Sequence, residues 1–378
     1  MLAPGNAHVT EWRPLTALTP IAEAWRDLAA RAAEPNVFYT PDFALAAAPV
    51  LGADAGAILV WAKTGRLLGL FPMRIENRRY GVKLPLLAGW THAYGPLGTP
   101  LVDRALCPEV TAAAFDHIAD HSDCPKVVRL PLLTEDGPVA SAIADEVTRR
   151  GGAHVMFARH CRALFVPVDD EPKAYLNAAL GRKKRKELDR QRRRLADDGD
   201  VSFDLATEPA EIDEGLREFL ALEGRGWKGQ AGTAATQNGD ARQFVQTAVS
   251  ALAARGQATI ARLRSGNRTL AVGIVLRSGA GAWFWKIAYD ETMAKSSPGV
   301  QLTLDLTKWL LRAPGLAWCD SCATADHPMI DHIWRERRHL CDLMIALRPG
   351  DLALARRLEH LRQGTLAAAR RLRDLVGA

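Results

Sequence analysis

No stretch of this 378-residue chain is apolar for long enough to cross a bilayer. The most apolar run, Phe43 to Ala62, is broken by Pro49, Gly52, Asp54 and Gly56, and no basic-then-apolar leader opens the sequence. The expectation is a cytoplasmic protein with no membrane span. Cysteine is scarce: six residues at irregular spacings make no disulfide framework and suit a reducing compartment. Catalytic signatures are also missing. There is no G-x-x-x-x-G-K-[ST] loop, no G-x-S-x-G elbow and no H-E-x-x-H helix, which leaves nucleotide hydrolysis, serine-triad ester hydrolysis and zinc proteolysis without support. Hydride transfer has no signature either.

What is present is a chain of 48% hydrophobic residues, enough for a large core and for two domains or lobes. Its net charge of +6 is local. Nine basic residues stand between Arg182 and Arg194 against Glu187 and Asp189, so the rest of the chain is close to neutral. Leu180, Leu188 and Leu195 at helical spacing make this segment a helix with a narrow apolar stripe and a wide cationic face. That face is either a solvated surface or a site for phosphates, a polyanionic substrate or RNA.

Periodicity exposes an internal echo at an offset of about 200 residues, the length of a duplicated domain. In the second half, strands are expected at Gln257–Arg264, Arg268–Arg277 and Trp283–Tyr289. A helix over Pro298–Arg312, a strand over Leu316–Asp320, a helix around Met329–Arg337 and a strand over Leu340–Leu347 follow. The first half gives the same order from Ala57 to the strand that begins at Ala153. Each half opens with helices, at Ile21–Ala32 and Asp42–Leu51, then at Pro209–Gly224 and Asp240–Arg255. The boundaries expected are 1–168, 169–348 and an amphipathic C-terminal helix in 349–378, packed on the second domain or on a partner subunit, which leaves room for a homodimer.

The densest signal runs from Ala282 to Leu311. An aromatic strand leads through Asp290 and a polar loop to Ser297-Pro298-Gly299, which opens an apolar-periodic helix. The free N–H groups and positive dipole end of a helix start are a ready phosphate site, and Pro298 and Gly299 suit a first turn that leaves those groups uncovered. A phosphate-bearing cofactor would dock there.

Helices, an antiparallel meander, a helix, a strand, a helix and a strand make up the order of the GNAT acyltransferase fold. The duplication, the basic segment Lys183-Lys184-Arg185-Lys186-Glu187-Leu188, the block Glu223 to Thr233 and Tyr289-Asp290 followed by Ser297-Pro298-Gly299 together resemble the tandem-GNAT proteins of the CelD/BcsL (BioF2-like) group, relatives of the FemAB peptidyltransferases. Asn36-Val37-Phe38 and Gly95-Pro96-Leu97-Gly98-Thr99-Pro100 are further marks. The resemblance covers about Asn36 to Leu347. It implies an α/β (α+β) fold of two tandem GNAT-like domains, each a mixed, mostly antiparallel sheet flanked by helices.

It also implies transfer of an acyl group, acetyl above all, from a coenzyme A thioester to an amine or hydroxyl of a small-molecule or polysaccharide-related acceptor. Ile287 and Ala288 on the splayed strand, with Ser297, Pro298, Gly299, Val300 and Gln301 at the helix start, would hold acetyl-CoA or another acyl-CoA. The chain has only Gly299 where the common pyrophosphate loop carries two glycines and a basic or amide residue. This keeps open the FemAB alternative, an aminoacyl-tRNA donor or another polyanion on the basic helix 182–194; nucleic acid enters only in that case.

The chemistry needs a base, donors for an oxyanion and an acid for the leaving group. Asp290, directly after the strand, is one candidate base, its alternative being a turn cap. Glu223, at the end of its helix, is the other, and Tyr289 is the proton donor. Trp227, Lys228, Lys286 and His327 are candidates for binding substrate, although Trp227 also reads as packing and Lys228 as a solvated lysine. Lys286, on an otherwise apolar strand, requires solvent or a partner. Cys319, Cys322, His327 and His332 have the spacing C-x2-C-x4-H-x4-H, but the segment lacks the glycines of a zinc knuckle, so no metal is expected.

Overall fold

The computed structural model describes residues 8–169, 171–197, 199–226, 239–347 and 352–376. The chain divides into two compact units that do not follow the order of the sequence. One comprises 1–39, 52–159 and 339–378, and the other 40–51 and 160–338.

The first unit is a mixed sheet. β1 (His8–Pro14), β2 (Ala55–Ala62), β3 (Leu67–Arg79) and β4 (Val82–Gly89) pair antiparallel in sequence order, β4 runs parallel to β6 (Val127–Thr134), and β6 is antiparallel to β13 (Glu336–Ala346). The short β5 (Leu101–Val102) pairs with β3. The β3–β4 hairpin closes on Tyr80 and Gly81, both at positive φ (51° and 81°), the twist that a two-residue turn between right-twisted strands requires. Helices Cys107–Asp120 and Pro138–Arg149 turn Val110, Ala114, Ile118, Val139, Ile143 and Val147 onto a core shared with Ile58, Val60, Leu130 and Ile345.

The C-terminal helix Leu352–Val376 belongs to this first unit and not to the second, one of the two places expected for its apolar stripe. Leu352 and Ala355 pack with Leu84, Leu86 and Met344. The buried Glu359 carboxylate accepts hydrogen bonds from the Arg79 guanidinium (2.9 Å) and the Tyr80 hydroxyl (2.9 Å).

In the second unit, β8 (Val201–Ala206), β9 (Ala258–Ser265), β10 (Arg268–Ser278) and β11 (Gly281–Tyr289) form an antiparallel run. β12 (Trp318–Asp320) lies parallel to β11 and antiparallel to the end of β7 (Ala153–Phe165). Helices Pro209–Arg225 and Gly239–Ala253 belong to this unit, as do Pro172–Ala179, Arg182–Leu195 and Pro298–Leu310. Helix Pro41–Leu51 joins it from the first half of the chain. Its Phe43 ring meets Phe244 edge-on at 5.4 Å and Trp285 at 5.5 Å.

The helix expected at Met329–Arg337 is absent. Consecutive turns occupy 328–333, closed by Ile330 N–H to the His327 carbonyl and Trp334 N–H to the Ile330 carbonyl, and strand β13 has begun by Glu336. Ile330, Ile333 and Trp334 are buried all the same, the Trp334 indole N–H donating to the Thr307 hydroxyl at 2.9 Å.

Candidate active site

β11 carries the site because its two edges differ. On the β10 side it is paired to its end, Ala271 facing Tyr289, with a register shift that leaves Trp285 as an extra residue. On the β12 side the pairing stops at Trp283. The residues after Trp283 thus extend beyond β12, and the chain continues from Tyr289 through a short helical turn, Glu291–Ser296, into helix Pro298–Leu310.

Ser297 sits in the left-handed region (φ 50°), which turns the chain sharply into the helix. Its side chain does not cap the helix, and the first N–H to find a carbonyl is that of Gln301, on Ser297 itself. Gly299 packs against β11: a Cβ there would lie 3.3 Å from Tyr289 Cδ1, 3.5 Å from Ile287 Cδ1 and 3.3 Å from Met329 Sδ. Strand end, helix start and the 326–334 turns converge on this glycine.

On the other side of the strand end stands Glu223, fully inside at 3% exposure, in the last turn of helix Pro209–Arg225. The Lys286 ammonium reaches its carboxylate at 3.5 Å and lies 5.6 Å from the Trp285 ring centre, so the strand lysine has the partner its apolar surroundings require. A small cavity of about 30 Å³ is lined by Glu223, Ile287, Ala288 and Tyr289, with Leu222, Gly226 and Glu291 completing its wall. A hollow of about 460 Å³ shares Leu222, Gly226, Tyr289 and Glu291 with it and adds Glu218, Arg225 and Arg268.

Asp290 is engaged differently. Its carboxylate accepts from the Thr292 N–H (3.0 Å), the Thr292 hydroxyl (2.6 Å) and the Arg268 guanidinium (2.5 Å). Burial pushes this carboxyl up, but the Thr292 and Arg268 hydrogen bonds outweigh it and hold it below the usual carboxylate range. It caps the turn after β11. Gln301 is buried, and its amide donates to the Leu188 carbonyl at 2.8 Å, tying the helix start to the basic helix.

His327 lies in the turns that bring Met329 to Gly299, its Nδ1 accepting the Met329 N–H at 3.4 Å. The structure therefore brings Glu223, Lys286, Ile287, Ala288, Tyr289, Ser297, Pro298, Gly299 and Val300 around one strand end, while Trp227 and Lys228 lie outside the described residues. Arg268 and Met329 were not anticipated. The β10–β11 register would have revealed Arg268, since pairing Ala271 with Tyr289 sets it opposite the Asp290 turn.

The basic helix Arg182–Leu195 buries Leu188, Gln191 and Leu195. Arg185 donates to the Asn177 and Leu180 carbonyls, and Arg192 pairs with Asp305 at 2.7 Å. Arg182, Lys183, Lys184, Lys186, Arg193 and Arg194 remain exposed. Among the described residues no three His, Cys, Asp or Glu side chains group to hold a metal ion, and burial drives the Cys319 and Cys322 thiols well above their ordinary range.

Residues 182–327 match the model of an acetyltransferase (GNAT) domain. None of the curated proteins matches the chain. Among solved structures, the fold is similar to the crystal structure of FemX (TM-score 0.58, 11% identity, covering 89% of this chain and 98% of that one). It is also similar to the C-terminal domain of a putative lysylphosphatidylglycerol synthetase from Agrobacterium fabrum (TM-score 0.55, 12% identity, 90% and 95% covered). A conserved protein of unknown function from Bacteroides thetaiotaomicron has a TM-score of 0.56 at 9% identity, with 90% and 100% covered. At such identities the likeness is one of fold: a mixed α/β architecture, GNAT-like in the segment of the second unit that the domain model matches.

Proposed function

We propose that the protein is an acyltransferase of the CelD/BcsL (BioF2-like) kind, moving an acyl group, acetyl in the first instance, from a coenzyme A thioester to an amine or hydroxyl at the free end of β11. The observation that carries this reading is the convergence of three features there. The strand end is unpaired on the β12 side after Trp283, the buried Glu223–Lys286 pair lies on one side of it, and the helix start around Gly299 packs against it.

The residues fit a phosphate-bearing donor at the helix start. The uncapped first turn offers backbone N–H groups at the positive end of the helix, and Gly299 is the residue a close backbone approach needs. Coenzyme A would supply the activated thioester carbonyl. The protein's part is positional and electrostatic: the Ile287 and Ala288 backbone aligns the acyl group, Glu223 takes the proton from the attacking amine or hydroxyl, and Lys286 holds the carboxylate in place. Tyr289 stands at the same strand end as proton donor to the leaving sulfur. Asp290, with its oxygens engaged by Thr292 and Arg268, keeps the loop in shape.

A second reading has its own observation. The exposed cations of the basic helix suit an aminoacyl-tRNA donor, as a FemAB-like transferase would use. Calorimetric titration with acetyl-CoA and with free CoA, alongside the Gly299→Trp variant checked for folding by circular dichroism, separates the two. Micromolar binding lost in the folded variant supports the thioester donor. Absence of CoA binding together with salt-sensitive tRNA binding moves the donor to the basic helix.

A further inference from the structure

The face of helix Pro298–Leu310 opposite its buried leucines lines a groove of about 770 Å³, closed by the basic helix and by helix Pro172–Ala179. Among the described residues, none of β11 lines it, and the coenzyme A reading gives it no part. Five cations line it, Lys173, Arg185, Arg192, Lys308 and Arg312, against the carboxylates of Glu171 and Asp189. Arg192 and Lys308 share the single acid Asp305 at 2.7 Å each, and Lys173 has no acidic partner among the described residues. Between these charges the lining is aliphatic: Leu176, Leu180, Leu188 and Leu304.

We propose that this groove receives the phosphate and one acyl chain of an anionic phospholipid, seating the second unit on an anionic membrane surface. Surplus positive charge around an aliphatic floor is complementary to a molecule with an anionic head and a saturated body. A single-stranded nucleic acid would look for aromatic rings to stack its bases on, and among the described residues no aromatic side chain lines the groove. Arg182, Lys183, Lys184 and Lys186 continue the positive charge outward from Arg185. A chain-accepting groove and a polybasic patch are together the two weak signals that stable, reversible surface binding requires.

The test is co-sedimentation of the full chain with vesicles of phosphatidylcholine alone or mixed with phosphatidylglycerol, repeated with Leu304→Glu, Lys173→Glu and the double variant Lys183→Glu/Lys184→Glu. Thermal melts confirm that each variant folds. Binding should favour the phosphatidylglycerol vesicles by roughly tenfold or more and fall several-fold for each charge variant. It should also fall for Leu304→Glu, and soluble dihexanoyl-phosphatidylglycerol should compete where inorganic phosphate does not. Equal binding to both vesicle types, competition by inorganic phosphate as strong as by the short-chain lipid, no effect of Leu304→Glu, or binding of tRNA with none of vesicles would each overturn the proposal.

Discussion

The Lys286 ammonium meets the Glu223 carboxylate at 3.5 Å although 63 residues separate them in sequence, one on β11 and the other in the last turn of a helix. Glu223 is enclosed on almost all sides, with the ammonium as its cationic neighbour there. Replacing Lys286 by Met should cost about 3 kcal/mol of stability, because it removes a cation from beside a buried carboxylate. Denaturant unfolding measures it, and a loss below about 1 kcal/mol would mean that other groups carry the charge.

Glu223→Gln keeps the shape and removes the proposed base. Acyl transfer should fall by about 10²–10⁴-fold with donor binding unchanged. The parallel change Asp290→Asn should instead loosen the loop after β11 and leave most of the rate. If the two variants change places in a rate assay, Asp290 is the base.

Gly299 and Met329 should be energetically coupled. Gly299→Ala brings a methyl to 3.3 Å from the Met329 sulfur, costing about 1 kcal/mol in the native background and less once Met329→Ala has made room. A double-mutant cycle measures this. Additive losses would mean that the strand side, Tyr289 and Ile287, resists the methyl instead.

His92 should give the first unit a pH dependence. Burial, helped by the Arg74 charge, pushes its imidazole down to about 4. The unfolded chain binds that proton near pH 6.5 and the folded one only near 4, so this contribution is complete above pH 6.5 and is lost as the pH falls between the two. The ring is only half-buried, so the loss is about 2 kcal/mol. Urea midpoints at pH 7 and pH 4.5 should converge between wild type and His92→Gln, and parallel curves would contradict the assignment.

Glu359 should act as the latch of the C-terminal helix. Glu359→Ala strands Arg79 and Tyr80 and should cost about 2 kcal/mol. Trypsin should then cut within 352–376 faster than in the native protein. Unchanged cleavage would place the anchor in Leu352 and Ala355 alone.

Period and turn chemistry made most of the strands legible, because strands such as Arg268–Ser278 are buried for most of their length and end at glycine-bearing turns. β8, six residues with one fully buried side chain, carries too little pattern to be seen. Ile330, Ile333 and Trp334 have helical spacing and misled for that reason: a chain of turns buries the same three positions that a helix would. The strand end and helix start of the site were readable from local order. The partner of Lys286 was not, nor was the commitment of Asp290 to Arg268, since both depend on register and on contacts distant in sequence. Membership of the C-terminal helix in the first unit was likewise invisible, because an amphipathic stripe says that a face is covered without saying by what.

The crossed membership of the two units bears on how the chain is made. Phe43, emerging early from the ribosome, has its aromatic neighbours Phe244 and Trp285 some two hundred residues downstream, and β6 waits for its antiparallel neighbour from beyond residue 338. Neither core is complete until residues beyond 330 exist, since Trp334 belongs to one and Ile345 to the other. A nascent chain halted at the midpoint of the sequence would hold two unfinished halves, so what looks like a gene duplicated end to end is, as a folding problem, a single indivisible task.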